Sequence, residues 1–530
     1  MERSSRGKNS MPATRRDFLM RIGQAGGYGA TFAAMQRLGL LPIVASAASE
    51  VDLPADAGKG IKVVVLGGGI AGLVSAYELG KAGFQCTLLE ARERPGGRNW
   101  TVRNRTTVEF IDGTKQTAKY VSGDSYFNAG PARIPSIHKT ILGYCKELEV
   151  ALEVFVNTDR SSLMVSDKAF DGKPVEQRQV INDTRGYIAE LLAKSVNKGA
   201  LDQELTKEDR ERLLVLLRSF GDLRAGMVYQ GSHRAGVSRL PGAGDVTETD
   251  RPSLDLHSLL NSDLWNNTTL EESLDMQATM FQPVGGMDRI PYAFAKKLGK
   301  AIQYRSVVKE IRKSANGVKV VYAQAGAEKS IAADYCICAL PVNMLKSIQN
   351  DFSPQVKQAI QDTRYSDSYK IAWESKRFWE TESNIYGGIS YLSGGPISMV
   401  WYPSGKMHSD MGVLLSGYGL QSLPAFNQLP NMEAKIAASR AAVERLHPGH
   451  GKDLNSPMYV VWEKIPYDQG AWIGTAGYYS GPYKAFIEPD ERIYFAGDHC
   501  SHVVTWQEGA ALSAHRTVKM IGERLRAAKA

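Results

Sequence analysis

From Ile61 onward the apolar positions fall into a strand, a glycine turn, a helix and a second strand: Lys62 to Leu66, Gly67 to Gly72, Leu73 to Lys81, then Gln85 to Glu90. That order predicts the opening βαβ unit of a dinucleotide-binding fold. Between Ile137 and Ser273 the spacing turns helical, with charge-rich segments such as Lys207 to Arg218, so a largely helical insertion is expected. Short alternating strands return from Tyr304 to Leu340, with a turn at Asn316-Gly317. Strand-like runs follow at Ile371 to Trp373, Ile397 to Tyr402 and Val413 to Gly417. A short buried-type strand at Arg492 to Gly497 and a terminal helix from Trp506 to Leu525 complete the pattern. The nucleotide fold is therefore expected to be assembled from three separated pieces.

The chain has 530 residues, 43% of them hydrophobic and 23% charged, a balance that excludes disordered and fibrous classes. Its formal charge of +8 is concentrated at the start. Residues 1–47 hold seven basic residues against Glu2 and Asp17, which leaves only +3 on the remainder, and no nucleic-acid partner is expected. The five cysteines are odd in number and widely spread, which fits buried free thiols rather than a disulfide framework or a zinc knuckle. Thr14-Arg15-Arg16-Asp17-Phe18-Leu19 resembles the twin-arginine export signal and precedes Ala45-Ser46-Ala47, an A-x-A-like cleavage site. Residues 1–47 are read as an export leader to a periplasmic or secreted location, the alternative being an ordinary amphipathic N-terminal helix. Arg37 and Pro42 interrupt its apolar stretch, and no later run is long enough to span a bilayer, so stable membrane insertion is not expected.

Gly67-Gly68-Gly69-Ile70-Ala71-Gly72 carries the strongest chemical signal. Gly67 permits the tight turn, Gly69 lets backbone approach a pyrophosphate, and Gly72 allows the helix to pack closely on the strand. The helix N-terminus then offers NH groups and a positive dipole end to phosphates. Glu90 ends the second strand, where a carboxylate meets ribose hydroxyls. A nicotinamide-linked dehydrogenase would share all of this.

The next motif separates the two. Glu90-Ala91-Arg92-Glu93-Arg94-Pro95-Gly96-Gly97-Arg98 resembles the flavin-containing amine oxidases, and the likeness runs over nearly the whole mature chain, closest to bacterial FAD-dependent L-amino acid oxidases. The resemblance implies FAD, held without a covalent bond because Ala471 stands where monoamine oxidases carry a flavin-linked cysteine. It implies that Glu90, Ala91, Arg92, Gly97 and Arg98 contact FAD, with Arg98 reaching the pyrophosphate; a solvated surface charge is the alternative for Arg98. Val308 on the strand after Gln282-Pro283-Val284-Gly285-Gly286-Met287 matches the family's adenine-side segment. Arg492 to Asp498 resembles the second FAD motif, adding Gly497 and Asp498, and Thr505, Trp506, Gln507 and Ala510 match the closing helix that touches the flavin pyrimidine. The expected fold class is thus α/β: a Rossmann-like FAD-binding domain from residues 60–136, 276–345 and 486–530, a largely helical domain over 137–275, and a mixed α+β substrate domain over 346–485.

On the substrate side, Asn128-Ala129-Gly130-Pro131-Ala132-Arg133-Ile134-Pro135 looks like the segment of L-amino acid oxidases whose arginine binds the substrate α-carboxylate, with Gly130 on the cofactor. A guanidinium fork suits a carboxylate because two parallel charge-assisted hydrogen bonds fix its plane. Arg133 in a structural ion pair is the plainer alternative. Val400-Trp401-Tyr402-Pro403 resembles the segment whose tyrosine contacts the same carboxylate, against plain strand packing for Tyr402. Trp472 and Trp506 match the two walls of an aromatic cage, and Lys370 matches a lysine that holds a water near flavin N5. His499 is a weak candidate for tuning the flavin, His502 reads as polar packing, and no metal site is expected.

The activity implied is oxidative deamination of L-amino acids by hydride transfer from Cα to flavin, with dioxygen as acceptor and a homodimeric assembly. A monoamine or polyamine oxidase, an amide-forming amino acid monooxygenase and a non-enzymatic FAD-binding protein remain alternatives. The sequence leaves basic and bulky uncharged side chains both open.

Overall fold

The computed structural model describes residues 51–418 and 423–529, so the leader read at 1–47 lies outside the described residues. Its organising element is a five-stranded parallel sheet in the order Ile302–Gln303, Gln85–Leu89, Lys62–Leu66, Tyr335–Cys338, Ile493–Phe495. Three distant stretches of chain supply it, as the pattern predicts. The central strand is a continuous apolar run because it is covered on both faces. Val63 and Val65 point into a core with the helix Ile70–Lys81, the closing helix Gln507–Lys529, Tyr144 and Phe294. Val64 and Leu66 point the other way, against Ile311, Val318 and Val320 of an antiparallel meander, Ser306–Ser314, Gly317–Gln324 and Ala327–Ala333. All five cysteines are free, four of them buried.

A second, seven-stranded sheet runs in the order Val175–Glu176, Leu163–Val165, Ile389–Leu392, Met399–Trp401, Met411–Ser416, Tyr369–Lys376, Asn455–Val461. One face buries Ile371, Trp373, Val400 and Tyr402 beneath the helix Met432–Leu446. Its other face carries Tyr391 and Trp401 and packs with Phe155, Met164 and Leu264.

The stretch 137–275 is less helical than its spacing suggests. Leu152–Phe155 pairs with Met280–Pro283, and Leu163–Val165 joins the seven-stranded sheet beside Ile389–Leu392. Only the later part builds the helical layer, in which Gln177–Asn197 and Lys207–Gly221 pack through Ala189, Ala193 and Leu217. Strands of three or four residues are too short to register against a helical period read over a long window. Among the described residues no helix is long and apolar enough to cross a membrane.

Candidate active site

A cleft of about 1010 Å³ runs from the first glycine turn to the face of the second sheet that carries Tyr391 and Trp401. At its nucleotide end Glu90 ties two loops together: Oε2 accepts from Gly68 N at 2.7 Å and Oε1 from Arg92 N at 2.8 Å. Gly96 N donates to Gly68 O at 2.7 Å and closes the pair of loops. A side chain at Gly72 would stand 2.0 Å from Gly67 O, whereas one at Gly69 would meet nothing within 4 Å, because Gly69 faces the open cleft. The sequence therefore leaves bare backbone open to the cleft at Gly69, a surface that a phosphate group could approach closely.

Arg98 crosses this end of the cleft. Its Nη2 pairs with Asp498 Oδ1 at 2.7 Å and its Nη1 donates to Ala471 O at 2.5 Å. Burial alone would raise the Asp498 carboxyl, but Arg98, helped by His499, outweighs it and holds the group below the usual carboxylate range. Thr505 N donates to Asp498 Oδ2 at 3.1 Å, and Asn99 Nδ2 to Gln507 Oε1 at 2.6 Å, which ties the start of the closing helix to the first loop. Gly67, Gly69, Ala71, Glu90, Ala91, Arg92, Gly97 and Arg98 line the cleft from one side, and Gly130, Gly497, Asp498, Thr505, Gln507 and Ala510 from the other. The guanidinium of Arg92 bridges Asp468 at 2.5 Å and Glu90 at 3.9 Å, while its backbone NH joins the loop through Glu90.

Two expected cofactor residues have no side-chain place in the cleft lining. Gly72 is buried under Gly67 and acts through packing. Val308 is buried beside Ile311 and Val320, opposite Tyr322 in the meander, and is not part of the cleft wall. Its strand begins on the end of Gln85–Leu89, with Ser306 N on Glu90 O, and then turns inward to cover the sheet.

At the opposite end Arg133 lies over two indoles, 4.8 Å from the Trp401 ring and 5.6 Å from the Trp506 ring. Its Nη2 is 3.2 Å from Met276 Sδ, and its Nε is buried with no hydrogen-bond partner. Among the described residues no carboxylate lies within ion-pair distance of it, and Asp275 acts on it only across space. Burial pulls its pKa down. A guanidinium left unpaired in a water-poor site is costly unless an anion completes it.

Lys370 shares this pocket. Its Nζ donates to Asn128 O at 2.8 Å and Gly130 O at 2.5 Å and stands 5.0 Å above the Tyr418 ring. Burial first, and the charge of Arg133 second, bring it down to about 7. Trp472 and Trp506 also line the cleft; Trp506 meets the edge of His138 at 4.9 Å and donates Nε1 to Asp275 Oδ2 at 3.2 Å.

Tyr402 does not fill the role expected of it. Its hydroxyl donates to Ser390 Oγ at 2.9 Å and meets His447 Nε2 at 2.7 Å inside the core, with the ring 2% exposed. Alternation along the strand explains this: Trp401 faces Arg133, so its neighbour must face the other way. The tyrosines whose rings approach the Arg133 charge are Tyr391 and Tyr418, both in the cleft wall. Sequence reasoning missed Tyr391 together with its strand, Ile389–Leu392, which pairs Ile389 with Trp401 and Tyr391 with Met399. Tyr418 follows the strand Met411–Ser416 and carries no sequence signal of its own.

His499 is buried, and that burial brings it down to about 4, so its ring is neutral. His502 stacks on Tyr479 with ring centroids 4.6 Å apart. Among the described residues no group of three or more His, Cys, Asp or Glu side chains is placed to hold a metal ion.

Residues 70–521 match the family described as flavin containing amine oxidoreductase. An L-amino-acid oxidase from Siganus canaliculatus is 27% identical over 479 residues, which covers 87% of this chain and 85% of the relative. Two solved structures share the fold, each across 88% of this chain and 99% of theirs. Cyclohexylamine oxidase from Brevibacterium oxydans IH-35A has a TM-score of 0.59 at 16% identity. Putrescine oxidase bound to putrescine has a TM-score of 0.56 at 17% identity. The chain belongs to the flavin-containing amine oxidoreductase family.

Proposed function

We propose that this family member is an L-amino acid oxidase that converts an L-amino acid, dioxygen and water to a 2-oxo acid, ammonia and hydrogen peroxide. The observation that carries the reading is Arg133, a half-buried arginine whose Nε is buried without a partner at the far end of the cleft from the glycine turn. An α-carboxylate is the anion that would complete it, and a plain amine oxidase has no use for such a group.

The bare backbone at Gly69 and the Arg98–Asp498 pair suit FAD, bound without a covalent link beside Ala471. Bound FAD supplies the two-electron oxidation at Cα and passes the electrons to dioxygen. Arg133 fixes the substrate carboxylate, and Tyr391 or Tyr418 donates a hydroxyl to the same group. Trp401, Trp472 and Trp506 exclude water and narrow the amine to one approach. Lys370, brought down to about 7, holds or releases a proton at Nζ within the cleft. Water then hydrolyses the imine in solution or in the cleft.

Arg133→Met tests the reading. Losing a charge-assisted carboxylate pair should lower kcat/KM for L-amino acids by roughly two to four powers of ten, with flavin content unchanged. Equal activity in the variant would remove the carboxylate anchor and with it the substrate class. A peroxide-release screen over L-amino acids, D-enantiomers and decarboxylated amines complements it.

The leader reading also stands as a proposal: residues 1–47 direct export by the twin-arginine route. Changing Arg15 and Arg16 together to Lys should retain a fused reporter inside the cell; unchanged export would contradict it.

A further inference from the structure

The cleft holds a second unpaired charge, of opposite sign to Arg133. Asp275 is half-buried and lines the same cavity. Its Oδ2 accepts one hydrogen bond, from Trp506 Nε1, and among the described residues it has no ion-pair partner. Its neighbour Glu271 differs in this respect, being neutralised by Arg160 at 3.6 Å. Trp506 relates the two charges geometrically. Arg133 stands over the face of the indole and Asp275 at its NH edge, so roughly the width of one ring system separates them. Met276, next in sequence to Asp275, touches the Arg133 guanidinium and fixes that separation. Apolar surface from Phe155, Leu270 and Met399 lines the same cavity.

Arg133 acts on Asp275 only across space, and a substrate carboxylate seated on Arg133 would cancel that field, leaving Asp275 in a partly desolvated cleft without a counter-charge, at a cost in free energy. Occupancy by a positively charged group returns that cost, and a neutral group of the same length does not. The geometry points to Asp275 as the side-chain selector of this site, taking L-amino acids whose side chain ends in a cation, such as lysine or ornithine. With the α-carboxylate on Arg133, a side chain of that length runs along the Trp506 ring and delivers its ammonium to Asp275. This inference rests on the L-amino acid oxidase reading and adds the class of side chain to it.

Two comparisons with the flavin-loaded full chain test it. In the first, L-lysine is set against L-norleucine, which has a straight chain without the charge, by peroxide release at pH 7. The parent should favour lysine at least tenfold in kcat/KM, and Asp275→Asn should cut the lysine-to-norleucine ratio by about a hundredfold. Asparagine keeps an oxygen for the Trp506 NH, so a role confined to holding the indole would leave the ratio unmoved, and that result would overturn the proposal. A parent that prefers norleucine would also overturn it.

The second comparison is independent of turnover. Quenching of tryptophan fluorescence should show 6-aminohexanoate binding about tenfold more tightly than hexanoate to the parent, and no more tightly to Asp275→Asn. Equal binding of the two ligands to the parent would reject the charge match. Oxidation of cadaverine with neither amino acid turned over would instead reject the amino acid reading itself, a failure distinct from loss of the lysine preference alone.

Discussion

Arg98 and Asp498 meet at 2.7 Å across 400 residues of chain, and the pair closes the nucleotide end of the cleft. Arg98→Leu would leave Asp498 buried without its counter-charge, a loss of about 3 kcal/mol that a thermal unfolding curve at neutral pH would register. The pH sign follows from the direction of the Asp498 shift. A carboxyl held below its ordinary value of 3.8 contributes stability in full above that value and loses it as pH falls further. The variant should therefore lose its stability deficit relative to the parent in strong acid. A deficit that persisted unchanged there would mean that the pair is not its source.

Gly69 and Gly72 should fail in different ways when replaced by valine. At Gly72 the new side chain would collide with Gly67 O, so the chain should misfold or lose most of its stability. At Gly69 the side chain would enter open cleft, so the fold should survive, by circular dichroism, while flavin absorbance disappears. Full flavin occupancy in Gly69→Val would remove the phosphate-loop assignment.

Tyr402 and Tyr391 should separate stability from substrate binding. Tyr402→Phe removes a hydroxyl shared with Ser390 and His447 and should cost about 1 to 3 kcal/mol with little change in KM. Tyr391→Phe should raise KM for L-amino acids with no loss in melting temperature. The reverse pattern would return the carboxylate contact to Tyr402.

These two tyrosines also show where sequence reasoning stops. In Val400-Trp401-Tyr402 it is Trp401 and not Tyr402 that faces Arg133, and alternation says that the two face opposite ways without saying which way the cleft lies. The parallel sheet was legible because a buried central strand is an unbroken apolar run and the glycine turn has fixed chemistry. Val308 turns its side chain into the meander core, as a residue whose expected contact is made by its backbone can do. Asp275 carries no motif at all. Its meaning comes from lacking a cation, and a missing partner is visible only once the neighbours are in place.

Lys370 should couple ligand binding to a proton. Its value near 7 owes its first part to burial, which is already complete, and its second to the positive charge of Arg133. An anion seated on Arg133 cancels that second part and raises Lys370, so binding a simple carboxylate just above pH 7 should take up a proton. Calorimetry in buffers of different ionisation enthalpy would measure the uptake, and Lys370→Met should abolish it. Proton release on binding, or uptake that survives in Lys370→Met, would place the titrating group elsewhere.

The edge strand Ile493–Phe495 gives the parallel sheet a temporal property as well as a spatial one. Tyr335–Cys338 has no neighbour on that side, and Arg98 no Asp498, until the ribosome has delivered the last tenth of the described chain. The glycine turn is made early, yet the cradle around it can close only late. A chain interrupted before this strand would retain the opening motif but lack the Asp498 wall of the cradle.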